Sequence, residues 1–135
     1  QLQLDRSILK GVFSIVGALD LDKMDHTPTL LNYTGPVDQD LYKKVNPVHL
    51  INAVDSFPFL CLHGDKDGLT PYENALSFCQ KIEQFHPQTV HLETFKEGTH
   101  LTIGSAWYYD DTYKLGQEST LLNWIHQVSS PSNLH

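Results

Sequence analysis

The chain has 135 residues, 40 % of them hydrophobic, enough apolar material for one globular unit with its own core. A formal charge of −7, from 16 acidic residues against 9 basic ones, supplies no patch able to neutralise a run of phosphates, so neither nucleic acid nor an anionic membrane is an expected partner. No window approaches the roughly 18 apolar residues that span a bilayer, and Gln1 to Arg6 lacks the basic-then-apolar layout of a leader. The two cysteines are too few for a disulfide framework and read as buried thiols, and the eight histidines are scattered, so no metal or cofactor is expected.

The first strand is expected over about 11–18, where Gly11 to Ala18 is nearly continuously apolar, the texture of a parallel strand covered on both faces. Residues 23–46 are polar and broken by Pro28, Gly35 and Pro36, which predicts a surface excursion with only a helical turn or two near Leu41 to Val45. A second apolar strand follows over 57–63. Thr70-Pro71-Tyr72-Glu73 then predicts a helix start, with Thr70 as N-cap, Pro71 at the first helical position and Glu73 closing a capping box. That helix is expected over 71–86, with Ala75, Leu76, Cys79 and Ile82 on its inner face and Pro87 beyond its end.

The run 89–95 alternates, setting Val90, Leu92 and Thr94 against His91, Glu93 and Phe95, as expected of a strand near a sheet edge. A last helix is predicted over 117–128, with Leu121, Leu122, Ile125 and Val128 as its stripe and Pro131 past its end. Strands separated by connections long enough to carry helices imply a parallel sheet in an α/β fold, the whole chain forming one unit.

Ligands of an open parallel sheet bind beyond the carboxyl ends of its strands, so the loops there carry the functional information. The second strand ends in His63-Gly64-Asp65-Lys66-Asp67-Gly68-Leu69-Thr70-Pro71 and the third in Lys96-Glu97-Gly98-Thr99-His100. A carboxylate after one strand and a histidine after the next is an arrangement in which the acid accepts the imidazole Nδ1–H and fixes its tautomer.

These loops, H-G-x-x-D-x-x-x-P and then G-x-H after a helix and a strand, resemble the α/β-hydrolase superfamily over nearly the whole chain. The nearest likeness is to its esterase, feruloyl-esterase-like and prolyl-oligopeptidase-type serine hydrolases. The resemblance implies the C-terminal part of an α/β-hydrolase sheet, with Lys10 to Leu21 as the strand after the nucleophile elbow. It further implies that Asp67 is the triad acid and His100 the base. Asp65 is the rival acid, better suited to ordering the turn. Trp107 and Tyr108, just past the histidine loop, are candidates to line a substrate pocket, although a packed loop cover accounts for them equally well. Asp20 and Asp22 read as turn caps and His63 as a core histidine beside the acid loop.

The serine of that family sits in G-x-S-x-G, and no such pentapeptide occurs in the sequence. Ser14 lies within the expected first strand between bulky Phe13 and Ile15, and Ser105 is too close to His100 along the chain to form the elbow. The nucleophile half of the fold is therefore expected to be absent, with the serine supplied upstream. The expected function is hydrolysis of a carboxylic ester by the complete protein, with the isolated chain inactive. The alternatives are a prolyl-oligopeptidase-type peptidase, or a non-catalytic chain that pairs with another polypeptide. The expected partners are a small-molecule ester or peptide and the missing N-terminal half of the same fold.

Overall fold

In the computed structural model, the backbone is described for residues 8–105 and 111–130, and the side chains for the same residues apart from 111–115. Three parallel strands, β1 (Val12–Ile15), β2 (Phe59–Gly64) and β3 (Val90–Phe95), form a sheet in that order. Their register aligns Phe13 with Leu60 and Leu60 with His91. All six residues of β2 are buried, as an apolar run covered on both faces should be. Alternate β2 side chains feed two cores. Leu60 and Leu62 join Val16, Phe95, Ile103 and Leu121, whereas Phe59 and Cys61 join Val48, Phe78, Cys79 and Ile82.

β1 is shorter than the expected strand over 11–18. Val16 still donates its N–H to the Leu62 carbonyl at 2.9 Å, but its φ of 46° turns the chain out of the sheet. The excursion is also more ordered than its polarity suggested: besides the helix at the expected turns near Leu41 to Val45, α2 (Asp40–Val45), it carries α1 (Pro28–Thr34), and α3 (Pro47–Leu50) follows it. Thr27 caps α1 by accepting the Leu30 N–H, and Gly35 with φ 73° ends it. Buried amides tie this region down. Asn74 Oδ1 accepts from the Leu19 and Asp20 N–H groups, and Asn46 Oδ1 from that of Leu21.

The helix between β2 and β3, α4 (Tyr72–Phe85), starts without a side-chain cap, contrary to the expected role of Thr70. Its buried face is Asn74, Ala75, Phe78, Cys79 and Ile82, with Leu76 at the margin. Cys61 and Cys79 are free thiols 3.2 Å apart across the β2–α4 contact, and the Cys79 hydrogen bond followed by burial pushes the Cys61 thiol's pKa up. In β3, Phe95 keeps to the side of His91 and Glu93 but is buried, packing into the Leu60 cluster. Beyond it lie α5 (His100–Gly104) and α6 (Asp111–Ser129). The inner face of α6 is Gln117, Leu121 and Trp124, while Leu122 and Ile125, expected in the stripe, are exposed. Neither Trp nor Gln was read as core, yet both follow helical spacing from Leu121.

Candidate active site

Two loops leave the carboxyl ends of β2 and β3 and are joined along their backbones. The Lys66 N–H donates to the Gly98 carbonyl at 2.9 Å and the Asp65 N–H to that of Phe95 at 3.2 Å. Contact this close requires glycine. A Cβ on Gly64 would lie 2.1 Å from the Gly98 carbonyl oxygen, a backbone atom with nowhere to move. The Asp65 carboxylate strengthens the join by accepting the Glu97 N–H at 2.6 Å, so it orders the turn.

The join brings Asp67 to His100. The Asp67 side chain is fully buried, and its Oδ1 accepts the N–H groups of Leu69 at 2.9 Å and Thr70 at 2.8 Å. Its Oδ2 lies 2.9 Å from His100 Nδ1 and 2.8 Å from the Thr70 hydroxyl, which donates to it. His63 Nε2 stands 3.3 Å from the same oxygen. Burial works to raise the Asp67 pKa, but the Thr70 amide and hydroxyl, the His100 ring and the Leu69 amide together hold it below the ordinary carboxylate value. An ionised acceptor facing Nδ1 requires that nitrogen to carry the proton, which leaves Nε2 free to accept one.

His100 is the first residue of α5, whose start is fixed by a capping box between Thr99 and Thr102. Its ring is partly exposed and lines an open groove of about 660 Å³ together with Phe13, Ile15, Val16, Leu101 and Leu121. An imidazole held at Nδ1 and open beside an apolar groove is arranged to move protons at Nε2. Ser14 lies within β1 and Ser105 bonds the Leu101 carbonyl through its hydroxyl. Among the described residues, no group of three or more His, Cys, Asp or Glu side chains comes together to hold a metal ion. Trp107 and Tyr108 fall outside the described residues.

The model of the prolyl oligopeptidase family matches residues 5–132. The chain belongs to that family. Solved structures with the same fold include a truncated form of a carbohydrate esterase from gut microbiota, with TM-score 0.58 and 20 % identity over 82 % of this chain. They also include a thermophilic esterase from the Planctomycetes species Thermogutta terrifontis, with TM-score 0.56 and 18 % identity over 97 % of this chain. The chain spans 42 % and 49 % of the lengths of these two esterases. A search of curated proteins finds no match.

Within this α/β-hydrolase frame, two residues at the site carry no local sequence signal for it. Thr70, read as a helix cap, bonds both Asp67 and His100, and Val16, read as mid-strand, ends β1 and offers its carbonyl to the Thr70 hydroxyl at 3.2 Å. His63, read as a core histidine, is fully buried and sits against the Thr70 carbonyl at 2.8 Å. A carbonyl only accepts, so His63 Nε2 carries a proton there. Asp20 caps the turn at Leu21–Lys23, whereas Asp22 accepts from the Tyr42 hydroxyl and faces His49 Nε2 at 2.7 Å. Burial, then the hydrogen bond to Asp22, pushes the Tyr42 phenol pKa up.

Proposed function

We propose that this chain supplies the acid and the base of a serine hydrolase whose complete form cleaves carboxylic esters. Asp67 orients His100, and His100 Nε2 takes the proton of a serine carried elsewhere in the complete protein. The resulting alkoxide attacks the ester carbonyl, and the proton passes on to the departing alcohol as the acyl-enzyme forms. Water then repeats the cycle, giving up its proton to the same nitrogen and releasing the acid. The observation that carries this reading is the 2.9 Å contact between Asp67 Oδ2 and His100 Nδ1, at the end of the sheet where such folds place their chemistry.

Two relatives of the fold bear the name esterase, and a third structure is that of Thermogutta terrifontis esterase 2 phosphonylated by sarin, 20 % identical over 96 % of this chain. Those names favour an ester substrate and an organophosphate-reactive nucleophile. The family match supports the second reading, a serine peptidase of the prolyl-oligopeptidase type.

The test uses the full-length protein, a fluorophosphonate probe, a short-chain aryl ester and a proline-containing aminoacyl anilide. We expect the probe to label a serine outside residues 1–135 and the ester to be the better substrate. Asp67→Asn should lower turnover by about four orders of magnitude through the wrong imidazole tautomer, while Asp65→Asn changes it only several-fold. Labelling of a serine within the 135 residues, or an Asp67→Asn variant with turnover near wild type, overturns the proposal. A preference for the anilide selects the peptidase reading.

A further inference from the structure

We propose that Thr70 is a positioning residue of this site, its hydroxyl bridging Asp67 and His100 and turning its hydrogen from Asp67 to the Val16 carbonyl when the ring gains its second proton. The inference rests on the role given to Asp67 and His100 above and adds a member to their array.

The hydroxyl oxygen has three neighbours: Asp67 Oδ2 at 2.8 Å, His100 Nδ1 at 3.0 Å and the Val16 carbonyl oxygen at 3.2 Å. Thr70 is buried, so the three compete without bulk water as a substitute. A hydroxyl has one hydrogen to give and two lone pairs to offer. The carboxylate and the carbonyl can only accept, so the hydrogen goes to one of them. The imidazole Nδ1 is within hydrogen-bond distance of both Oδ2 and the hydroxyl oxygen, so a hydrogen on it can be shared by both.

With the ring neutral, the nearer and charged acceptor, Oδ2, holds the hydroxyl hydrogen. Once Nε2 has taken a proton, the ring is a cation and its Nδ1–H demands more acceptor. Rotation of the hydroxyl toward Val16 then relieves Oδ2 of one donor and turns a lone pair of Thr70 toward Nδ1–H. No heavy atom moves, and no proton changes owner. The interaction thereby strengthens in the state that turnover passes through, which is the condition for raising kcat rather than lowering KM.

The surroundings hold everything else still. The Thr70 N–H is bound to Asp67 Oδ1, and the Thr70 carbonyl accepts from His63 Nε2. Val16 is a β-branched residue at φ 46°, a left-handed conformation that such side chains rarely adopt, and its carbonyl is the second acceptor that the rotation requires.

Valine at position 70 keeps the shape of threonine and removes only the hydroxyl, whereas serine keeps the hydroxyl and removes a methyl. In the full-length protein assayed on a short-chain aryl ester, Thr70→Val should lower kcat about 10-fold with KM unchanged, and Thr70→Ser should restore it to within about 2-fold; a factor of ten corresponds to about 1.4 kcal/mol of transition-state free energy. The downfield proton resonance of His100 Nδ1–H, followed by NMR in the same three proteins, should move in Thr70→Val and return in Thr70→Ser. A Thr70→Val enzyme with wild-type kcat, a Thr70→Ser enzyme as impaired as the valine variant, or an unmoved resonance overturns the proposal. If wild type itself fails to hydrolyse the ester, the reading of the reaction falls, and the resonance alone still decides whether the bridge exists.

Discussion

Four donors converge on the Asp67 carboxylate, two on Oδ1 and two on Oδ2, in a site where the side chain has no solvent exposure. Every one of them favours the anion, which is why the folded pKa lies below the usual value despite burial. A carboxylate whose pKa is depressed on folding adds stability that is complete above its unfolded value of about 3.9, and is lost as pH falls through the folded value. Acid titration of the unfolding free energy should therefore show a loss below about pH 4 that is weaker in Asp67→Asn. The variant should also be less stable by about 1–3 kcal/mol at pH 7, because its amide group brings donors to face donors. An acid limb identical to that of wild type would contradict the assignment. Asp67 and His100 were legible because their spacing after glycines belongs to a recognisable pair of loops. The contacts of Thr70 were hidden by a local rule: a hydroxyl before proline and three residues before an acid reads as a cap, whereas the helix starts later, at Tyr72, and the hydroxyl meets Asp67 and His100.

At the scale of elements, the acid loop and the histidine loop act as one unit because two glycine-bearing backbones touch. Gly64→Ala would drive a methyl group to 2.1 Å from the Gly98 carbonyl oxygen, and the only relief is separation of the loops. We expect a cost of about 3 kcal/mol or more in denaturant unfolding, at or beyond the upper end for overpacking. The full-length enzyme should lose turnover along with it. Gly68, in the same loop, has nothing within 4 Å of its would-be Cβ, so Gly68→Ala should stay within about 0.5 kcal/mol of wild type. Equal effects of the two substitutions would show that the close approach is not what holds the loops. The sequence carried this element order well, because continuous apolar runs and helical periodicity are strong local signals. It erred at the end of β1, where Val16 turns into the left-handed region, and in the excursion, where α1 forms beside the helical turn expected near Leu41 to Val45.

Across the whole molecule, large apolar side chains stand exposed on β1 and on the helices that follow β3. Among the described residues β1 pairs only with β2, leaving its other edge without a strand, and Phe13 on that strand is 48 % exposed. Leu101, Leu122 and Ile125 are exposed on α5 and α6, and Phe13 and Leu101 border the same groove that His100 lines. An unpaired strand edge beside apolar side chains invites pairing with another chain, and patches of this kind are rare on free monomers. The 135-residue chain expressed alone should therefore self-associate, with weight-average mass rising with concentration in sedimentation equilibrium. Phe13→Lys should shift it toward monomer, since a charge on an edge strand opposes pairing. A chain that sediments as a monodisperse monomer and unfolds cooperatively would show that this face needs no cover. The expectation that the missing N-terminal half of the fold partners this chain would then lose its physical motive.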